Sequence, residues 1–245
     1  MAGRTFATGD IHGDLDALLR VEKQLPTLDR GDTLVFLGDY VDRGPSSAQV
    51  IEHLRSLPSR TPAKVVTLRG NHEDAWLRVI DQGWPEFVGP VSHGCREALE
   101  SYIGKVDDPL GDALQMVLHA GAFFPLDVVK WMRSLPIYFE DEHAIYVHAG
   151  LDKDANGFLH PADTPTPAAL LWQRDVEFFR SYRGKRIVFG HTVTECLPEE
   201  LSSYTPDDPS DMWAGPCTIG LDTGAGKGGF LTTIELPSLK VFESR

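Results

Sequence analysis

Cysteine is scarce in this chain. Three occur in 245 residues, Cys95, Cys196 and Cys217, an odd number without C-x-x-C spacing. The pattern argues against a disulfide framework and suits reduced, buried thiols in a cytoplasmic protein. Long apolar runs are also missing. None approaches the roughly 20 residues a membrane span requires, and Met1 to Gly9 shows no basic leader followed by an apolar stretch. No membrane partner is expected. Positive charge is in deficit, with 23 Lys and Arg against 36 Asp and Glu, for a net charge of -13. A nucleic-acid backbone binder needs a basic face, so no nucleic-acid partner is expected. A local basic pocket for small phosphates or phosphopeptides is still compatible with that total. The remaining composition, 42% hydrophobic and 24% charged, is that of an ordinary globular chain. Its length suits one large domain or two small ones with a sizeable core, and the oligomeric state is not legible.

What is present is a series of five short blocks, each just after an apolar run. They are Gly9-Asp10-Ile11-His12-Gly13, Gly38-Asp39-Tyr40-Val41-Asp42-Arg43-Gly44, Gly70-Asn71-His72-Glu73, His148-Ala149-Gly150 and Gly190-His191-Thr192. Gly and Asp are common in turns, so one block alone carries little. Five in order, all rich in oxygen and imidazole ligands and free of thiolate, point to a divalent-metal centre. Six such side chains exceed what one ion needs. They suit two ions about 3.5–4 Å apart that share a carboxylate and clamp a phosphoryl group.

The apolar pattern places these blocks at strand ends. Thr5 to Thr8, Thr33 to Leu37 and Lys64 to Leu68 read as strands ending at the first three blocks. Helices follow the first two. Leu15, Leu18, Leu19 and Leu25 have helical spacing behind a capping Asp14, and Val50, Ile51, Leu54 and Leu57 follow Ser46 or Ser47. Strand, block and helix in repetition predict parallel α/β crossovers, with ligands at the carboxyl ends of the strands. Between about residues 74 and 135 the faces Trp76-Leu77-Ile80, Ala98-Leu99-Tyr102 and Val128-Val129-Met132 read as a helical insert, broken at Pro85, Pro90 and Pro109. Strands are expected again at Ile137 to Phe139, Ala144 to Val147 and Arg186 to Phe189, with a short helix from Ala168 to Arg174. After a Pro-rich loop, Tyr204 to Pro209, Thr218 to Leu221 and Phe230 to Leu236 read as a closing hairpin. No repeat or linker is evident, so residues 1–245 are expected to form one domain with an insert.

The chemistry can be assigned block by block. Asp39, after the second strand, suits the bridging carboxylate. Asp10, His12 and Asp39 would hold one metal, and Asp39, Asn71, His148 and His191 the other, each with room for water. A water between two cations ionises near neutral pH and can attack phosphorus in line, without a covalent intermediate. Arg43 can clamp phosphoryl oxygens through its guanidinium, with Arg174 as a second clamp. His72 would face the leaving oxygen as general acid, and Asp42 would hold its charged form. His53, His93, His119, His143 and His160 lack block context and read as structural or surface, with His119 and His160 the two candidates for a place near the site. The run Gly224 to Gly229 satisfies G-x-G-x-x-G, but a strand-like Phe230-Leu231-Thr232-Thr233-Ile234 follows where a dinucleotide site needs a helix. It reads as a hairpin loop whose Lys227 at most touches substrate.

The Gly-Asp-Ile-His-Gly, Gly-Asp-Tyr-Val-Asp-Arg-Gly and Gly-Asn-His-Glu trio resembles the phosphoprotein phosphatase family of metallophosphoesterases. It looks most like the bacterial and bacteriophage lambda types, with the resemblance running from Gly9 to Thr192. It implies a four-layer α/β/β/α sandwich, a binuclear centre that is commonly manganese (with iron, zinc or cobalt as alternatives) and phosphomonoesterase activity. It also implies the roles just given for Asp10, His12, Asp39, Asn71, His148, His191, Arg43, His72 and Asp42, while Arg174 matches only a loose Trp-x-Arg pattern. Leu221-Asp222-Thr223-Gly224 stands where eukaryotic members have Ser-Ala-Pro-Asn-Tyr-Cys, so nothing about eukaryotic regulatory partners carries over. Symmetrical diadenosine tetraphosphatases share the metal blocks but typically differ at Asp42 and have Gly-Asn-His-Asp. Asp42 and Glu73 therefore favour a serine/threonine phosphatase acting on phosphoprotein or a small phosphoester, with the tetraphosphatase as alternative.

Overall fold

Four residues of β1 (Thr5–Thr8) pair in parallel with β2 (Thr33–Phe36), and β2 in turn with β3 (Lys64–Thr67), so that Thr5, Thr33 and Lys64 stand in register. This is the parallel crossover core that the strand–block–helix pattern predicts. The computed structural model describes residues 3–106, 111–202 and 208–245; Pro109 and the Tyr204 end of the Pro-rich loop lie outside them. Helix α1 (Leu15–Glu22) returns from β1 with Asp14 accepting from the Ala17 amide, and α2 (Ser47–Ser56) returns from β2. Ser46 and Ser47 do not cap α2 as expected. The Ser47 hydroxyl instead accepts from the Asp42 amide, 3.0 Å away.

After β3 come α3 (Asn71–Gln82), α4 (Pro85–Val88), α5 (Cys95–Ile103), α6 (Asp112–Ala120) and α7 (Leu126–Ser134), which make up the expected helical segment. A hairpin of β4 (Tyr138–Glu140) and β5 (Ile145–Val147) then opens a second sheet. A small β6 (Lys153–Asp154) and β7 (Gly157–Phe158) ribbon, α8 (Ala168–Trp172) and α9 (Val176–Ser181) lead to β8 (Ile187–Phe189). The chain finishes with β9 (Trp213–Ala214), β10 (Thr218–Gly220), β11 (Thr232–Leu236) and β12 (Lys240–Glu243).

The two large sheets run in the orders β12-β11-β1-β2-β3 and β4-β5-β8-β10-β9. Ala7, Val35, Leu37 and Leu68 of the first sheet meet Tyr146, Val188, Ile219 and Leu221 of the second in a buried seam. Phe6, Leu34 and Phe36 point the other way onto α1, α2 and the helical segment, while Ile145, Ile187 and Phe189 pack on Leu170, Phe178 and Phe179 of α8 and α9. This is the α/β/β/α sandwich expected, since alternate residues of each strand serve opposite faces.

The closing hairpin is not formed. Strand β10 lies parallel to β8 in the second sheet, whereas β11 runs antiparallel to β1 in the first. Residues 221–231 therefore cross between sheets, closed on themselves by the Gly224 and Phe230 bridge and by the Thr223 hydroxyl, which donates to the Phe230 carbonyl at 2.7 Å. Cysteine also departs from expectation: Cys95 is buried, Cys217 half-buried and Cys196 exposed, all three free. Among the described residues, no helix is long and apolar enough to cross a membrane.

Candidate metal centre

Every block sits at the carboxyl end of a parallel strand, and the two sheets bring those ends together. Asp10 and His12 follow β1, Asp39 follows β2, Asn71 opens α3 just past β3, His148 follows β5 and His191 follows β8. The backbone is contorted there. His12, Asp39, Asp42, Arg43 and His191 all have positive φ, between 47° and 71°, and the sixth described non-glycine residue of this kind is Leu239. Each such residue costs about 1–3 kcal/mol and persists only where its surroundings over-determine it. Here the surroundings are hydrogen bonds between blocks. The His191 amide donates to both Asp10 oxygens at 3.0 Å, and a Cβ on Gly190 would lie 2.0 Å from Asp10 Oδ1.

The donor atoms converge on Asp39. Its Oδ1 lies 3.4 Å from His148 Nε2, and its Oδ2 lies 3.5 Å from His12 Nε2 and 3.9 Å from His72 Nε2. Asn71 Oδ1 is 2.9 Å from His148 Nε2 and 2.7 Å from His191 Nδ1. Among the described residues two clusters with ligand atoms inside 4.8 Å emerge, His12-Asp39-His72 and Asp39-His148-His191, both buried and sharing Asp39. The second matches the expected group around Asn71. In the first, Asp10 Oδ2 stands 3.9 Å from His12 Nε2, and His72 is drawn in although its Nδ1 is already committed to Asp42.

The donor chemistry fits divalent cations. His12 Nδ1 is 3.0 Å from the Val41 carbonyl, which leaves Nε2 buried without a partner and facing Asp39. Burial holds His12 and His191 well below the usual imidazole range, in the neutral form that ligates metal. Burial alone would raise Asp39, but His148, His72 and His12 outweigh it and hold the carboxyl well below the usual range. Asp10 moves oppositely, pushed up to about 6 by burial despite His148; a nearby cation would reverse that.

Beside this cluster stands a second assembly. His72 Nδ1 lies 2.6 Å from Asp42 Oδ2, and Trp76 Nε1 donates to both Asp42 oxygens at 2.9 and 3.1 Å. Burial disfavours a charged His72 ring, yet Asp39 and Asp42 together raise its pKa above the ordinary value. Arg43 Nη2 is 3.3 Å from His72 Nε2. Arg174 comes from the stretch after α8, where the helix stops at Trp172 rather than reaching Arg174 as expected. Its Nη1 donates to the His191 carbonyl at 3.1 Å, so it faces the site rather than solvent alone. Arg43, Asn71, His72, Arg174 and His191 line one cavity of about 220 Å³.

Several roles were not visible beforehand. Glu73 does not face the cavity. It is fully buried and accepts from the Asp39, Tyr40 and Gly70 amides at 2.8–2.9 Å, thereby shaping the Asp39 turn. His93, assigned to structure or surface, lines the cavity beside Phe87, whereas His160 binds Glu140 instead. His119 does not line it. Asp222 is a further strand-end carboxylate, two residues past β10, fully buried and holding Lys227 Nζ at 2.8 Å. Its signal was the same strand-then-aspartate pattern, hidden by the hairpin reading.

A four-layer sandwich with such a cluster at its strand ends defines a phosphoester hydrolase of the metallophosphoesterase class. The calcineurin-like phosphoesterase family model matches residues 3–195, and the chain belongs to that family. It is 27% identical over 263 residues to the asymmetrical bis(5'-nucleosyl)-tetraphosphatase PrpE of Anoxybacillus flavithermus, covering 95% of this chain and 90% of that enzyme. It is 43% identical over 207 residues to the serine/threonine-protein phosphatase 6 catalytic subunit of Drosophila melanogaster, covering 76% of this chain but 56% of that one. Among solved structures, one assigned provisionally as a diadenosine tetraphosphatase superposes with a TM-score of 0.59 at 21% identity, covering 99% of this chain and 93% of that one. The cold-active protein-tyrosine phosphatase of a Shewanella species gives 0.56 at 17%, covering 100% and 81%. At these identities the structural likenesses speak to fold.

Proposed function

We propose that the protein is a metal-dependent phosphomonoesterase acting on phosphoserine or phosphothreonine in proteins. The observation that supports this reading most is His72, held through Nδ1 by Asp42 and presenting Nε2 beside Arg43 at the cavity. A leaving alkoxide needs a proton, and a positioned acid of this kind contributes about 10²–10⁴-fold. A leaving polyphosphate, being a far weaker base, gains little from it.

Asp10, His12 and Asp39 are the residues proposed to hold one divalent ion, and Asp39, Asn71, His148 and His191 the other. Manganese suits this oxygen and imidazole set, as do iron, zinc and cobalt. Ions bound there supply Lewis acidity and bring water toward ionisation near neutral pH. The remaining work falls to side chains. Arg43 and Arg174 hold the phosphoryl oxygens, His72 delivers the proton from Nε2 to the leaving oxygen, and Asp42 stabilises the charged ring through Nδ1.

Dinucleoside tetraphosphate hydrolysis is the second reading, favoured by the near-complete match to PrpE. Two features count against it. Glu86 adds a carboxylate to the cavity, and Lys227, inside the Gly224–Gly229 loop, is tied to Asp222. Assayed side by side at one ionic strength, the manganese-loaded protein is expected to show the higher kcat/KM on a phosphoserine peptide. A tenfold preference for diadenosine tetraphosphate would replace the first reading with the second.

A further inference from the structure

The Asp42 and His72 pair has a third member that no strand-end block supplies. Asp42 is fully buried, so its carboxylate must find its partners inside the protein. His72 Nδ1 lies 2.6 Å from Oδ2, and Trp76 Nε1 donates to both oxygens, at 2.9 Å to Oδ1 and 3.1 Å to Oδ2. The Ser47 hydroxyl accepts from the Asp42 amide at 3.0 Å, which fixes the backbone beneath the carboxylate. Held at both oxygens, the carboxylate cannot swing, and the His72 ring it grips keeps one orientation.

The helix and its neighbours place Trp76 for this task. It stands four residues after His72 on α3, so both side chains leave the same helix face. Its ring is fully buried and met edge-on by Phe87, Phe123 and Phe124 at 5.8, 5.1 and 5.2 Å. Phe87 also meets the His72 ring edge-on at 5.4 Å, so one phenyl braces both. Packing asks only for a large apolar ring at this position; the buried carboxylate asks for a donor.

We infer that Trp76 is a positioning residue for proton delivery: it holds Asp42, and through Asp42 it aims His72 at the leaving oxygen. The inference rests on the phosphomonoesterase reading and adds to it a residue from outside the blocks. The indole donates to Asp42, not to a proposed metal ligand, so its loss should slow turnover without emptying the metal centre. Small misplacements of a reacting group are costly even when their source is remote from the chemistry.

The test is a double-mutant cycle on the metal-loaded protein that pairs Trp76→Phe with Asp42→Asn and reads kcat, KM and bound metal. Trp76→Phe is expected to lower kcat on a phosphoserine peptide by about ten- to a hundredfold, the worth of a hydrogen bond to a charged group. KM and bound metal should stay near wild type, and the loss on p-nitrophenyl phosphate should be much smaller. In the Asp42→Asn background the same substitution should cost little further. Trp76→His, a smaller ring that keeps an N–H, should retain more of kcat than Trp76→Phe, the reverse of what a packing role produces. Should neither variant fold, the Trp76 Nε1–H resonance decides: movement on His72→Asn supports the coupling, and an unmoved resonance overturns it. Additive losses in the cycle, or equal losses on both substrates, overturn the positioning role and leave the phosphomonoesterase reading intact. A wild type that does not hydrolyse the phosphoserine peptide overturns both.

Discussion

Replacing His72 with Asn would remove the proposed proton donor while leaving an amide of similar reach beside Asp42. Turnover of a phosphoserine peptide is expected to fall by about 10²–10⁴. On p-nitrophenyl phosphate, whose leaving group needs little protonation, the loss should be much smaller, and bound metal should stay near the wild-type level. Equal losses on both substrates would remove the general-acid role. At this scale His72, Asp42 and Arg43 were legible because their blocks carry polar residues directly after apolar runs. Trp76 and Glu73 were not. Trp76 sits on an apolar helical face, and only the fold reveals that its indole nitrogen serves Asp42. Glu73 looks like any polar residue of a first helical turn until the three amides around its carboxylate are seen. Both Asp42 and Glu73 point inward, so neither faces a substrate's distal phosphates directly as a repelling charge.

Strands β1 and β2 are tied at their amino ends as firmly as the blocks tie their carboxyl ends. Arg4 donates to Asp32 through Nε at 3.0 Å and Nη2 at 2.6 Å, and the Asp29 amide adds a bond at 2.8 Å. Partial burial opposes ionisation of Asp32, but these donors outweigh it and hold the carboxyl below its usual value. A depressed carboxyl stabilises the fold above its unfolded pKa, and that stability is lost as pH falls through the folded value. Arg4→Met is therefore expected to cost about 1–2 kcal/mol at pH 7, and the gap to wild type should narrow below about pH 4. Denaturant midpoints at several pH values would show this; a gap unchanged into acid would contradict it. Strand positions were legible because four-residue apolar runs between turn residues leave few alternatives. Strand partners at the chain's end were not. Thr218 to Leu221 and Phe230 to Leu236 satisfy a hairpin pattern locally, and only the sandwich makes β10 continue one sheet and β11 the other.

Across the whole molecule, two sheets place their strand ends at one edge, and the proposed ligand set is complete only when both are present. Asp10, His12, Asp39 and Asn71 come from the first sheet, and His148 and His191 from the second. The net charge of -13 coexists with a cavity that holds Arg43 and Arg174, so the total said little about the site. Sequence order revealed the blocks, but not that the helical segment would lend the cavity Trp84, Phe87 and His93. Phe87 and His93 sit in short, Pro-bounded helical turns and Trp84 in the link before α4, with no periodic signal of function. The most direct test of the account is hydrolysis of p-nitrophenyl phosphate before chelation, after metal removal and after adding back manganese. Activity that disappears on stripping and returns with manganese is the expected result; a stripped protein that keeps full activity would contradict the metal centre on which the mechanism depends.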